Sequence, residues 1–417
     1  MSTAEQHDIS VEPEVNYSKI CRVPGVFRRN QSPNEDCYNP LVVSIGPYHH
    51  KNGPNHELAE MQAVKKEMLE QFASRSGKTR EVLYSTVAQL TSSARRSYDE
   101  GSTEHLDDSA FTEMMLLDGC FILQFISCFL SDSLRLNNRV LAYFVKRDLF
   151  LLENQLPYEV LTSLMSLELD HGEKGKKLME EFMDRVRGLP RGTQMKNPPG
   201  QIPQPIHLLD LFHKRFMKEG VKPPDQNSDG QWCSYRSVME LKSVGIHFRP
   251  SKTDMYTDLQ YKSTLRGGTV SLPRIVIDDF TKSLLLNLLA HETCPGSAEG
   301  FWVTSYVWFL DSLIDHSEDV KALRKSGILL NVLGSDQEVA DLFNDISRFV
   351  GFNSNAYSDV KSSIEKHCKN VTKKWVAEWL HNHFSSPWTF LAFAGAVVAL
   401  VLSFIQTYKT VYPGNDK

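Results

Sequence analysis

The sequence predicts a mainly α protein: a large helical domain with a small β-hairpin element and one C-terminal transmembrane helix. Three observations carry that expectation. Apolar residues recur at helical spacing through most of the chain, as in HELAEMQAVKKEMLEQF, where Leu58, Met61, Met68, Leu69 and Phe72 form a stripe with Lys and Glu mostly opposite. In LQYKSTLRGGTVSLPRIVI, Gly267-Gly268 stands between two β-prone runs. Residues 388–405, WTFLAFAGAVVALVLSFI, carry no charge at all.

In chain order, residues 1–19 are acidic and polar, with neither the apolar core nor the cleavage site of a secretory signal, and are expected to form a disordered tail. The helical domain is expected over 20–384, with further stripes through 79 to 98, 109 to 131, 138 to 150, 157 to 169, 278 to 293, 299 to 316 and 335 to 350. Phe111 to Leu130 is apolar enough to imitate a membrane span. Asp118 near its middle would cost roughly 3 kcal/mol in lipid, so it reads as a buried core helix. Prolines concentrate in loops over 189–231, isolating a short helix at PIHLLDLFHKRF. The hairpin is expected at about 257–277 with its turn at the two glycines, joined by VGIHF as a third strand. A last soluble helix, about 356–384, aligns Tyr357, Val360, Ile364, Val371, Trp375 and Trp379.

The span itself is placed at 385–412, before a short tail at 413–417. Its uncharged core contributes roughly −3 to −6 kcal/mol of insertion free energy, and eighteen helical residues reach about 27 Å, close to the hydrocarbon thickness. Ser385 or Ser386 and Pro387 suit a helix start, and Trp388, Tyr408 and Tyr412 suit the interfaces. A single late span with no earlier signal implies a tail-anchored, single-pass membrane protein with its body in the cytosol. Ala392, Ala396, Ala399 and Ser403 fall on one face of that helix, where a second helix could approach closely.

Composition narrows the function. With 417 residues and 41% hydrophobic content the chain has ample core, and a net charge of −5 gives no basic excess for nucleic acid. Seven scattered cysteines without a C-x-x-C pair read as reduced thiols. DQNSDG, Asp225 to Gly230, starts like a calcium loop, but Arg236 stands where its bidentate Glu should be. His49, His50 and His56 lack a regular ligand spacing. His207 and His213 are six apart, off a common helical face, and HETC at His291 lacks the second histidine of a zinc motif. No Walker A, G-x-S-x-G or G-x-G-x-x-G occurs, so neither cofactor nor metal is expected and an enzyme is the less favoured reading.

The hardest stretch to read is DLFLLENQLPYEVL, Asp148 to Leu161, an apolar run threaded with Asp148, Glu153, Asn154 and Gln155 and cut by Pro157. Proline lacks an N–H and disfavours helix at the residue before it, so one helix should stop near Glu153 and the next begin around Asn154 to Pro157. The expectation is a buried joint: Asn154 caps the new helix, while Glu153 and Gln155 bond freed backbone groups or an arginine such as Arg22, Arg28 or Arg147.

Several blocks are recognisable together: ICRVPGVFRR, YNPLVVSIGPYHH, MLLDGCFIL, DLFLLENQLPYEVL, SLPRIVID, YVWFLDSLI, GILLNVLGSDQEVADLFN and a terminal PWTFLAF. In that order, from about Ile20 to Tyr412, the chain resembles the plant Domain of Unknown Function 247 family. Ser386 precedes the PW pair where Asn is common in the family. The resemblance implies a plant protein with one C-terminal span and no established catalytic residues. Some grass members are linked genetically to pollen self-incompatibility, which points to recognition between proteins. The joint residues Asp118, Asp148, Glu153, Asn154, Gln155 and Pro157 thereby become a structural signature. The function expected is protein interaction, recognition or signalling at a membrane, with a protein partner or oligomer; the alternative is a membrane-associated enzyme with an unrecognised pocket.

Overall fold

The computed structural model describes residues 19–29, 37–50, 56–131, 136–168, 173–188, 204–217, 236–264, 267–296, 301–347, 356–370 and 387–411. Their elements in chain order are α1 Gly25–Arg29, α2 His56–Ser76, α3 Arg80–Ala88, α4 Thr91–Arg96, α5 Asp108–Leu130, α6 Leu136–Asp148, α7 Tyr158–Glu168, α8 Glu173–Val186, α9 Leu208–Arg215, α10 Val238–Ser243, β1 Ile246–Pro250, β2 Gln260–Thr264, β3 Gly267–Leu272, β4 Ile275–Ile277, α11 Thr281–Glu292, α12 Trp302–Leu313, α13 Ser317–Lys325, β5 Leu329–Asn331, α14 Asp336–Ser347, α15 Ser358–Lys369 and α16 Pro387–Val411. The protein is mainly helical with two small sheets.

The central helix is α5. Asp107 starts it by accepting the Ala110 N–H, and its residues from Phe111 to Ile126 are almost all buried, with α2, α3, α7 and α8 packed around it. Gly119 permits this packing: a Cβ there would meet Leu164 Cδ1 at 2.6 Å. The apolar run with an acid in its middle is thus a core helix. Fully buried Leu, Ile and Phe side chains each contribute about 1.5–3 kcal/mol, so this helix anchors the body.

The β element differs from expectation in its turn. β3 pairs antiparallel with β2 and parallel with β1, giving the order β1-β3-β2, so VGIHF does supply the third strand. The register pairs Thr264 with Gly267, which places both glycines inside β3 rather than at its turn. They are needed for close approach. Gly267 has φ +149, and a Cβ on it would lie 2.1 Å from the Gly245 carbonyl oxygen, while one on Gly268 would lie 2.6 Å from the Tyr261 hydroxyl. After Pro273 the chain leaves this sheet, and Ile275–Ile277 pairs in parallel with Leu329–Asn331 as a second, two-stranded sheet.

The expected last soluble helix is described as α15, where Ile364 and His367 are buried. His367 lies within hydrogen-bonding distance of the Tyr261 hydroxyl (2.8 Å) and the Val244 carbonyl (3.0 Å), fixing α15 on the three-stranded sheet. Val371, Trp375 and Trp379 lie outside the described residues, as do the calcium-like loop Asp225 to Gly230 and most of the proline-rich loops. The C-terminal α16 is apolar and long enough to cross a membrane. Leu400 and Phe404 on it are 71% and 72% exposed, and Ala392, Ala396, Ala399 and Ser403 are exposed too.

Candidate functional site

Two buried polar assemblies stand out. The first is built on DLFLLENQLPYEVL. α6 ends at Asp148 and α7 begins at Tyr158, so the helix stops earlier than the expected Glu153 and a non-helical segment lies between. The Asp148 carboxylate, with no solvent exposure, accepts the backbone N–H groups of Leu41 (3.0 Å), Val42 (2.7 Å) and Val43 (3.0 Å) and pairs with Arg147 at 2.8 Å. Burial pushes its carboxyl above the usual range, and the amides and Arg147 pull the other way.

Glu153 accepts the Val23 N–H at 2.7 Å and pairs with Arg28 at 2.9 Å, with His49 3.8 Å away. Of the three arginines expected near it, Arg28 is the partner; Arg147 serves Asp148 and Arg22 lies over the Tyr48 ring. Asn154 was expected to cap the next helix. Instead it accepts the Ile45 N–H at 2.6 Å and donates to the carbonyls of Val43 and Asp148. Gln155 donates to the carbonyls of Leu149 and Leu151 and accepts the Leu209 N–H. On α5, Asp118 accepts the Gly46 N–H at 2.8 Å and pairs with the buried Lys65 of α2, whose ammonium also donates to the Ser44 carbonyl. Pro157 leaves Tyr158 to donate to the Ile206 carbonyl.

The common object of the bonds from Asp118, Asp148, Glu153, Asn154 and Lys65 is the strap of residues 20–23 and 41–46. It runs through apolar surroundings without a regular strand partner, so its N–H groups would each cost about 1–3 kcal/mol if unpaired. Side chains from the joint supply the acceptors. A carboxylate filled by main-chain N–H groups is a poor general base, because its lone pairs are already committed.

The second assembly joins residues that sequence separates widely. His207 is the N-cap of α9, its Nδ1 accepting the Asp210 N–H. Asp210 faces His291 Nε2 of α11 at 3.3 Å and pairs with Lys214 at 2.8 Å. His213 Nε2 lies 2.7 Å from Glu292, which also accepts the N–H groups of Val303 and Thr304 and the Thr304 hydroxyl at the start of α12. The His291 ring stands edge-on to His207 (5.1 Å between centroids) and to His213 (5.6 Å). His207, Asp210, His213, His291 and Glu292 are all buried.

Burial, then the charge of His291, lowers the His207 pKa to about 3, so its imidazole is neutral at physiological pH. Burial raises the Asp210 and Glu292 pKa values, but hydrogen bonds and charge from His291 and His213 outweigh it and hold both net below the usual range. Beyond this cluster, the buried Arg187 guanidinium lies over the rings of Phe216 (4.2 Å) and Tyr256 (4.9 Å). Among the described residues no group of three or more His, Cys, Asp or Glu side chains is arranged to hold a metal ion.

Sequence reasoning missed this second assembly. His207 and His213 both reach His291, because His207 sits at the cap rather than on the helix, and α11 also brings Glu292 to His213. The local signal was a histidine three residues before Asp210 at a helix start. Nothing local joins Asp210 to His291.

A family model described as a plant protein of unknown function matches residues 20–402. Among curated proteins, the chain is similar to UPF0481 protein At3g47200 of Arabidopsis thaliana, 28% identical over 95% of this chain and 87% of the relative. It is also similar to putative UPF0481 protein At3g02645 of the same plant, 23% identical over 98% of this chain and 92% of the relative. No solved structure matches.

Proposed function

The chain belongs to the plant Domain of Unknown Function 247 family, and from that membership we propose a membrane-tethered protein whose helical body binds other proteins in recognition or signalling. The observation that carries this reading is α16: an uncharged helical core long enough for a bilayer, with its large apolar side chains facing out. Lipid and a partner helix are the two environments that satisfy such a surface. The face of Ala392, Ala396, Ala399 and Ser403 suits a second helix, either of another copy or of a family member. In the body, the signature acids Asp118, Asp148 and Glu153 are occupied by strap amides and cations, which supports an architectural role for them.

Full-length protein is expected in the carbonate-resistant membrane fraction, and protein lacking 387–411 in the soluble one; an integral truncated chain would overturn the tether. With the body cytosolic, the sequons at Asn16, Asn30 and Asn370 stay unmodified in plant microsomes, and glycosylation there would reverse the topology. Leucine at Ala396 and Ala399 is expected to weaken association in a membrane two-hybrid assay; an unchanged signal removes that face. Proximity labelling of the full chain in plant tissue then identifies the partner.

A second reading, a membrane-associated enzyme, is favoured by one observation, the two carboxylate–imidazole pairs His213–Glu292 and His291–Asp210. Their burial weighs against it, because a substrate would have to reach groups that solvent does not.

A further inference from the structure

Of the three arginines buried in the body, two have a carboxylate and one does not. Arg147 pairs with Asp148 at 2.8 Å and Arg215 with Asp184 at 2.9 Å. Arg187, 7% exposed just past the end of α8, pairs with none among the described residues. Its Nη2 donates to the Arg274 carbonyl at 3.2 Å, while the buried Nε and Nη1 donate to no protein group. The guanidinium carbon lies 4.2 Å from the centroid of the Phe216 ring and 4.9 Å from that of Tyr256. Tyr256 in turn stands 5.3 Å from Tyr306, whose hydroxyl donates to the Pro273 carbonyl. Asp254 is committed to the Arg274 guanidinium through two hydrogen bonds. Aromatic faces attract a cation but accept none of its in-plane hydrogen bonds, so Arg187 keeps donors to give and a charge to balance.

From this arrangement, we propose that Arg187 anchors a binding site for a small organic monocarboxylate. The ligand's carboxylate accepts from the free guanidinium N–H groups, and its apolar body lies against the aromatic side chains around them. The proposal gives the body a small-molecule ligand besides any protein partner, and it uses none of the side chains of the imidazole cluster.

Three features select that class of ligand. The planar guanidinium matches a carboxylate in shape and in hydrogen bonding, as Arg147 and Arg215 show with the protein's own acids. One cation balances one negative charge, whereas a phosphate dianion would leave surplus charge in a buried place with Asp254 on the neighbouring Arg274. Phe216, Tyr256 and Tyr306 offer apolar contact, as the walls of small-molecule sites do. Depth sets the size. The Arg274 side chain is 33% exposed and its carbonyl is the one Arg187 holds, so the guanidinium lies about one residue below the surface. That depth suits a small acid rather than a protein chain.

The test uses full-length protein in detergent at neutral pH and fixed ionic strength, followed by titration calorimetry and thermal unfolding. The probes are benzoate and hexanoate, with benzamide as the uncharged counterpart of benzoate and inorganic phosphate as the competing anion. Benzoate, hexanoate or both are expected to bind saturably at one site and to raise the melting temperature, while benzamide and phosphate do neither. Arg187→Met should abolish that binding, and Arg187→Lys, which keeps the charge but not the fork, should weaken it about tenfold or more. Absence of saturable binding by both carboxylates would overturn the proposal. So would equal binding of benzamide or phosphate, or carboxylate binding that survives in folded Arg187→Met. The contrast between benzoate and benzamide is read on the unaltered chain, so a variant that fails to fold does not obscure it.

Discussion

The joint and the imidazole cluster are both sets of buried acids, yet their partners differ in kind. In the joint, Asp148 and Glu153 hold backbone N–H groups and arginines, with the His49 ring further off, 3.8 Å from Glu153. In the cluster, Asp210 and Glu292 face the imidazoles of His291 and His213, and a third imidazole, that of His207, is held neutral by burial. The first arrangement fixes a segment of chain; the second makes the stability of the fold answer to protons. Burial alone therefore says little about what a polar group does until its partner is known.

The largest expected effect comes from Asp148→Ala, which strips the acceptor from Leu41, Val42 and Val43 and takes from Arg147 its carboxylate partner. A loss of about 5 kcal/mol or more is expected, enough to leave little folded body, as circular dichroism of purified protein would read. Wild-type-like folding of that variant would break the distinction between the two assemblies.

Next comes the Lys65–Asp118 pair. Lys65→Met leaves a buried carboxylate uncompensated and should cost about 3–5 kcal/mol. Adding Asp118→Leu should return part of that loss, giving a coupling of about 2 kcal/mol in a denaturation cycle, although Gly46 then lacks its acceptor. Strictly additive losses would mean that the pair is not the working unit. Glu153→Ala is smaller, about 2 kcal/mol or several degrees of melting temperature, because Arg28 is partly exposed and can turn to water. A variant that melts like the parent would remove Glu153 from the joint.

The smallest effect tests the cluster. His207 has its folded pKa lowered to about 3 from an unfolded value near 6.5, so between those pH values the unfolded chain binds the extra proton. Stability from this group is lost as pH falls through that window, at up to about 1.4 kcal/mol per pH unit. The lowered pKa values of Asp210 and Glu292 act in the same direction at lower pH. His207→Asn keeps an N-cap acceptor while removing the proton site, so between pH 6 and 5 it should lose about 1 kcal/mol less than the parent. Equal slopes in urea titrations at the two pH values would show that His207 is not the proton site.

The difference also explains what the sequence made legible. The helices with clear stripes, the core placement of Phe111 to Leu130 and the third strand at VGIHF follow from local periodicity and charge. The joint was legible because its acids interrupt an apolar run and Pro157 demands a break. Its partners were less so: Asn154 was assigned to a nearby helix, whereas its amide oxygen reaches Ile45 across the fold. The turn was misplaced because a Gly-Gly pair signals either a reversal or a close backbone approach, and only the Gly245 carbonyl distinguishes the two. The cluster was illegible because its pairs join α9 to α11, and each histidine taken alone has an ordinary local explanation.

Cys37, just ahead of the second part of the strap, also constrains the order in which the molecule can be assembled. Asn287 on α11 donates to the Cys37 carbonyl and accepts the Leu152 N–H, closing contacts over sequence separations of 250 and 135 residues. During synthesis, at about 5–20 residues per second, the Cys37 carbonyl would wait roughly 12 to 50 seconds for that partner to be made. Through that interval this contact cannot close, and contacts of such long range are slow to form even afterwards. A residue that emerges among the first is thus among the last to be fixed, although the strap beside it can already close on Asp118, Asp148 and Asn154.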